Sequence, residues 1–280
     1  MPESFDMPMP ESFGRRLHAA VAVRGPLCVG IDPHGALLRS WDLADDATGL
    51  ERFALSTVEA MAGEVAIVKP QSAFFERHGS AGVAVLEKTI AAAKQAGLLV
   101  VLDVKRGDIG STASAYADAY LDPSSPLGSD AITVSPFLGF GSLTPFIETA
   151  ERHGAGVFVL ALTSNEEGPQ VQHARTADGT VAGTILTQIR AHNAGAEPLG
   201  SIGAVVGATV GEICEDVAIN GPLLVPGFGA QGGTVADIRR LFKDVDALVL
   251  PTTSRAVLAA GPDVSTLRSA ARQVSESLRG

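Results

Sequence analysis

Residues 98–113 read LLVVLDVKRGDIGSTA, and the fold turns on how this stretch is read. An apolar run leads into Asp103; Lys105 follows, then Asp108, Ile109, Gly110 and Thr112. Side chains on a strand alternate with a period of two, so Asp103 and Lys105 share a face where a buried strand emerges. Arg106-Gly107 then breaks the strand and releases Asp108 onto a loop. Charges in such a place need partners, because burying an unpaired charge is costly. A strand-end salt bridge would account for a bare Asp-x-Lys, so the meaning of the pair rests on the remainder of the chain.

Working outward, the same kind of apolar run recurs. Eight candidates stand at 27–32, 65–70, 98–105, 131–136, 156–163, 202–209, 223–226 and 247–251. They are too short for capped helices and are bounded by Pro, Gly and polar residues, so they read as buried strands. A short amphipathic stretch after Arg15-Arg16, with Leu17, Ala20 and Val21, reads as a lead-in helix; helical spacing marks 49–62, 80–96, 142–153, 181–193, 235–242 and 264–278, and a helix is expected after Thr112, after the strand at 202–209 and near Arg255. Residues 165–180 are polar and unpatterned, the length of a mobile loop. Strands that are apolar throughout imply cover on both faces, as in parallel sheets. Eight β/α units in about 250 residues fit a single-domain α/β TIM barrel, the (β/α)8 fold. A doubly wound open sheet is the alternative, but the first turn, Ile31-Asp32-Pro33-His34-Gly35, lacks its glycine fingerprint.

Composition narrows the function. Of the 280 residues 46% are hydrophobic and 19% charged, which supports a large core and argues against disorder. The balance of 21 basic and 31 acidic residues gives a net charge of −10 with no basic tract, so nucleic-acid binding is not expected. An anionic substrate would need a local cluster of cations and backbone N–H groups. Cys28 and Cys214 form no disulfide framework or redox motif, which fits a reducing, cytoplasmic compartment, and the six histidines have no metal-ligand spacing. The opening repeats MPESF at 1–5 and 9–13; it has no signal-peptide core, no run is long enough to span a membrane, and residues 1–14 are expected to form a loosely ordered tail before a domain at 15–280.

TIM-barrel chemistry sits at the C-terminal ends of the strands. There the chain places Asp32, Lys69, Asp103, Lys105, Ser135, Ser164, the glycine-rich loop 227–234 and Arg255. The loops after strands seven and eight commonly bind phosphate in this fold; Gln231 offers an amide donor and Arg255 a planar fork.

The string D-x-K-x-x-D-I-G-x-T at 103–112 resembles the signature of orotidine 5′-monophosphate decarboxylases, and its Arg-Gly spacer resembles the bacterial type 2 branch. The resemblance extends over roughly 27–255. It implies a Lys-Asp-Lys-Asp catalytic array of Lys69, Asp103, Lys105 and Asp108. It implies a homodimer in which Asp108 and Thr112 reach the neighbouring subunit's site. It implies that Asp32 binds ribose, that Ser164 contacts the pyrimidine, and that Pro226, Gln231 and Arg255 contact the nucleotide and its phosphate. Ser254 stands where many relatives have glycine. The expected reaction converts orotidine 5′-monophosphate to UMP and CO2 without cofactor or metal, with Lys105 as proton donor. Three rivals share these residues: a Schiff-base aldolase, a metal-dependent enzyme on sugar phosphates, and a non-catalytic nucleotide-binding protein. Flanking carboxylates would keep a lysine charged, which disfavours the first.

Overall fold

A computed structural model describes residues 10–279 except 230, 231, 244, 246 and 247. Its eight parallel strands are β1 (Cys28–Ile31), β2 (Ile67–Pro70), β3 (Leu99–Arg106), β4 (Ala131–Val134), β5 (Gly156–Leu162), β6 (Ile202–Val206), β7 (Leu223–Pro226) and β8 (Val249–Thr253). They close a barrel in which each strand pairs with its neighbours in sequence and β1 pairs with β8. This is the TIM barrel that the apolar runs predict.

Alternation along the strands sorts the core into two layers. Ile67, Val101, Ala131, Phe158, Val205, Leu224 and Leu250 point inward with Cys28 and fill the barrel. Val29, Val68, Leu102, Ile132, Val157 and Val225 point outward beneath the helices. Burying each large side chain contributes about 1.5–3 kcal/mol, so the two layers supply most of the driving force for folding.

The expectation for residues 1–14 needs correction at its end. Helix α1 (Phe13–Arg24) begins inside the supposed tail, with the Ser12 hydroxyl accepting from the Arg15 N–H. Phe13 and Leu17 are fully buried and plug the barrel's N-terminal mouth. The Phe13 ring lies edge-on to Phe158 at 6.0 Å, in a space that a side chain on Gly156 would fill. Arg16 secures the helix, donating to Asp130 Oδ1 at 2.6 Å and to the Gly154 carbonyl at 2.9 Å. Residues 1–9 lie outside the described residues.

Outside the barrel run α2 (Ala47–Met61), α3 (Gly79–Gln95), α4 (Gly110–Leu121), α5 (Thr144–His153), α6 (Val181–His192), α7 (Val235–Phe242) and α8 (Val264–Arg279). A four-residue turn of helix, Arg255–Leu258, follows β8. Two expectations fail. The helix expected after β6 does not form: residues 207–222 are irregular. Gly211 (φ +64°) and Asn220 (φ +48°) take left-handed backbone that a right-handed helix cannot contain. Arg190 instead holds this chain by donating to the carbonyls of Ala218 and Asp216, which lets Val217 and Ile219 reach the core. The segment 165–180 is not structureless either. It holds a short helix, Pro169–Gln172, and a hairpin pairing Arg175–Thr176 with Gly179–Thr180.

Candidate active site

The inward alternation that fills the barrel changes character near the top. One layer above Ile67, Val101 and Ala131 stand Lys69, Asp103 and Thr133, at inward positions of β2, β3 and β4. Lys69 and Asp103 are only 5% and 7% exposed. Charge at that depth persists because it is paired. Lys69 Nζ donates to Asp103 Oδ2 at 2.9 Å, and Lys105 Nζ donates to Asp103 Oδ1 at 2.6 Å. The Thr133 hydroxyl donates to the same Oδ1 at 2.8 Å. One carboxylate thus bridges two ammonium groups and a hydroxyl.

Their titration follows from this geometry. Burial would push the Asp103 carboxyl up, but Lys69 and then Lys105 outweigh it and hold the group well below the usual carboxylate range. Burial would drive Lys69 toward its neutral form, yet Asp103 and then Asp32 raise it above lysine's ordinary value. Beneath them, burial pushes the Cys28 thiol up to about 12, so Cys28 is a protonated core residue rather than a nucleophile.

Lys105 has an unusual backbone. Its φ is +46°, left-handed for a residue with a Cβ. Strand β3 loses register with β4 here: Leu102 faces Ile132 and Arg106 faces Val134, four steps against two. The bulge turns the Lys105 N–H onto Thr133 Oγ1 at 3.0 Å and brings its ammonium back to Asp103. Gln71 braces the other side, its amide donating to the Asp103 carbonyl at 3.4 Å.

These groups line a cavity of about 970 Å³ that also takes in Asp32, Ser164, Pro226, Gly227, Ser254 and Arg255. Asp32 Oδ2 accepts from the Ser254 hydroxyl, in space left by Gly30, where a Cβ would overlap that hydroxyl. Asp32 Oδ1 is buried and, among the described residues, accepts no hydrogen bond. Ser164 sits against Gly207, which likewise has no room for a side chain. After β7, Gly227, Gly229 and Gly232 take positive φ and fold the loop onto itself, with the Gly229 N–H donating to the Gly233 carbonyl at 2.8 Å. Arg255 is exposed at the rim. Gln231 lies outside the described residues.

The chain that carries this cavity, with its Lys-Asp-Lys array and an arginine at the edge, has counterparts among known proteins. Residues 25–270 match the Orotidine 5'-phosphate decarboxylase / HUMPS family. An orotidine 5'-phosphate decarboxylase of a Nocardioides species is 69% identical over 250 residues, covering 88% of this chain and 91% of that one. That of Streptomyces coelicolor is 59% identical, covering 96% and 98%. A crystal structure from Streptomyces avermitilis assigned to the same enzyme superposes with a TM-score of 0.94 at 60% identity, covering 97% and 96%. The chain belongs to this family.

Within the orotidine 5′-phosphate decarboxylase family signature of this chain, the structure brings some expected residues together and leaves others apart. Lys69, Asp103, Lys105, Asp32, Ser164, Pro226 and Arg255 share the cavity. Asp108 and Thr112 do not line it. Asp108 Oδ1 accepts from the Ile109 N–H, and Thr112 is exposed on the first turn of α4. Ser135 lines a neighbouring cavity of about 640 Å³ between the loop after β4 and α6. Sequence reasoning missed Thr133 and Gln71. Thr133 carried a usable signal, since within Ala131–Val134 it alternates with outward Ile132 and Val134; Gln71 carried none. Among the described residues no group of three or more His, Cys, Asp and Glu side chains is placed to hold a metal.

Proposed function

We propose that this chain decarboxylates orotidine 5′-monophosphate to UMP and CO2 by electrostatic catalysis, with Lys105 as the proton donor. The reaction belongs to pyrimidine nucleotide synthesis, as in the family to which the chain belongs. The observation that carries the reading is the Asp103 carboxylate held between the Lys69 and Lys105 ammonium groups on the cavity floor.

Loss of CO2 leaves negative charge at C6 of the pyrimidine. A preorganised cation aimed at that carbon stabilises the charge without reorganisation, and the same ammonium can deliver a proton to it. Asp103 keeps Lys105 aimed, while Lys69 keeps Asp103 ionised. Asp32 Oδ1, buried without a donor, suits a ribose hydroxyl. Ser164 and Pro226 flank the base, and Gln231 and Arg255 take the phosphate, whose distant binding energy holds the base in its reactive pose. Asp108 and Thr112, which do not line this chain's own cavity, act across a homodimer interface in the site of the neighbouring subunit. No cofactor or metal takes part. The enzyme works in the cytoplasm, where the free thiols Cys28 and Cys214 stay reduced.

The test is the ultraviolet spectrum of orotidine 5′-monophosphate mixed with the purified chain in the presence of a chelator. The expected result is conversion to the UMP spectrum. Folded protein that leaves the spectrum unchanged, but acts on sugar phosphates when Mg2+ is added, would overturn the reading.

A further inference from the structure

We infer that Arg106 is a positioning residue that holds the Lys105 bulge in its reactive geometry. The inference rests on the proposed role of Lys105. Among the described non-glycine residues only Asp42, Lys105 and Asn220 have positive φ. Asp and Asn tolerate that region because their short polar side chains bond locally; lysine has no such compensation. A strained residue persists only where its surroundings over-determine it.

Arg106, the next residue, supplies the restraint. Its carbonyl accepts from the Ser135 N–H at 2.8 Å, so pairing with β4 resumes as soon as the bulge ends. Gly107 passes so close to the Ser135 carbonyl that a side chain there would displace one of them. The guanidinium points away from the cavity. Its Nη2 donates to Glu76 Oε1 at 2.7 Å, and Nε and Nη2 donate to the Tyr120 hydroxyl at 3.2 and 3.0 Å. The group also lies over the Tyr116 and Tyr120 rings, 5.5 and 5.6 Å from their centroids. Glu76 is itself fixed by the Ser72 hydroxyl at 2.5 Å. Ser72 and Glu76 begin and end the short helix after β2, and both tyrosines lie on α4, which follows β3. One planar fork therefore ties the exit of the bulge to the elements on either side of it. Lysine, a point charge on a flexible stem, cannot reproduce that geometry.

The experiment uses the full chain and compares Arg106→Lys, Tyr120→Phe and the double variant with wild type. Arg106→Lys retains the charge, so a loss cannot be ascribed to the missing cation. We expect kcat to fall at least about tenfold while KM and the UMP dissociation constant stay within about twofold, since the substrate-holding residues are untouched. Tyr120→Phe should show a smaller fall of the same kind, and the double variant little beyond Arg106→Lys alone. Amide hydrogen exchange over residues 102–107 should rise at least about tenfold in Arg106→Lys, with the other strands unchanged. A folded Arg106→Lys with wild-type kcat and exchange overturns the inference. So does a parallel loss of kcat and UMP binding, which would mark a merely structural role. Wild-type protein inactive on orotidine 5′-monophosphate would refute the reaction instead, and the exchange measurement would still decide whether Arg106 holds the bulge.

Discussion

Replacing Asp103 by asparagine keeps its shape and removes the stronger of the two charge partners, Asp103 and Asp32, that reconcile Lys69 with its burial. At an effective dielectric of about 20, unit charges 2.9 Å apart attract by about 6 kcal/mol, a gain that the desolvation of both groups offsets in large part. Removing one partner leaves the desolvation uncompensated, so Asp103→Asn should cost about 3–5 kcal/mol, a large share of a domain's usual stability of about 5–15 kcal/mol. Lys69→Met should cost less than this if the thioether fills the space, because Asp103 retains Lys105 and Thr133. The combined Lys69→Met/Asp103→Asn variant should be markedly more stable than the sum of the two losses, since it contains no orphaned ammonium at position 69. Urea titrations of the four proteins close the cycle. Strict additivity, or Asp103→Asn within about 0.5 kcal/mol of wild type, would refute the claim that the pair is coupled. The pH dependence follows from the same groups. Asp103 is held below its ordinary value of 3.8, so its contribution is present above about pH 4 and fades as the pH falls. Lys69 is held above 10.5, so its contribution is full below about pH 10 and fades as the pH rises through its elevated value. Wild type should therefore show a broad plateau from this pair, and the double variant should lack both limbs.

Lys105→Ala should lower turnover by at least about 10³-fold while UMP binding, measured by calorimetry, largely survives; turnover resembling wild type would sink the proton-donor assignment. Arg255→Ala should raise KM by about 10- to 100-fold, the worth of a charge-assisted hydrogen bond to phosphate, with a smaller effect on a substrate lacking the phosphate; equal effects on both substrates would remove Arg255 from the phosphate site. Phe13→Ala opens the floor of the barrel and should cost about 3–5 kcal/mol in a denaturant titration, whereas a loss below about 1 kcal/mol would mean that α1 is not part of the core.

The barrel was legible because its strands are buried on both faces and therefore continuous apolar runs. Each observed strand overlaps its predicted run, and Asp32, Lys69, Asp103 and Lys105 at the ends of the first three runs mark the rim. What sequence concealed depended on distant partners. Residues 207–222 carry enough apolar positions to imitate a helix, and only the left-handed Gly211 and Asn220, with Arg190 across from them, show why the chain stays irregular. Phe13 looked like part of a tail because its partner, Gly156, lies far along the chain. The Asp103 and Lys105 pairing followed from strand alternation, yet the alternation alone misses the bulge, which requires Thr133 on the next strand. The clamp on Arg106 was invisible, since Glu76 and Tyr120 belong to different β/α units and nothing local connects them.

The plug formed by Phe13 and Leu17 makes the barrel a well rather than a tube. Below the charged layer lie Val101, Ala131, Phe158 and Leu224, all buried and packed in one cluster with Phe13 and Leu17 of α1. In the proposed reaction, carbon dioxide freed beside Lys105 faces this packed layer below and the open mouth above, the side from which the nucleotide enters. The chain after β5 borders that mouth at Ser164 and Asn165, and the short helix is joined to this border where Gln172 Oε1 accepts from the Thr163 N–H at 2.9 Å.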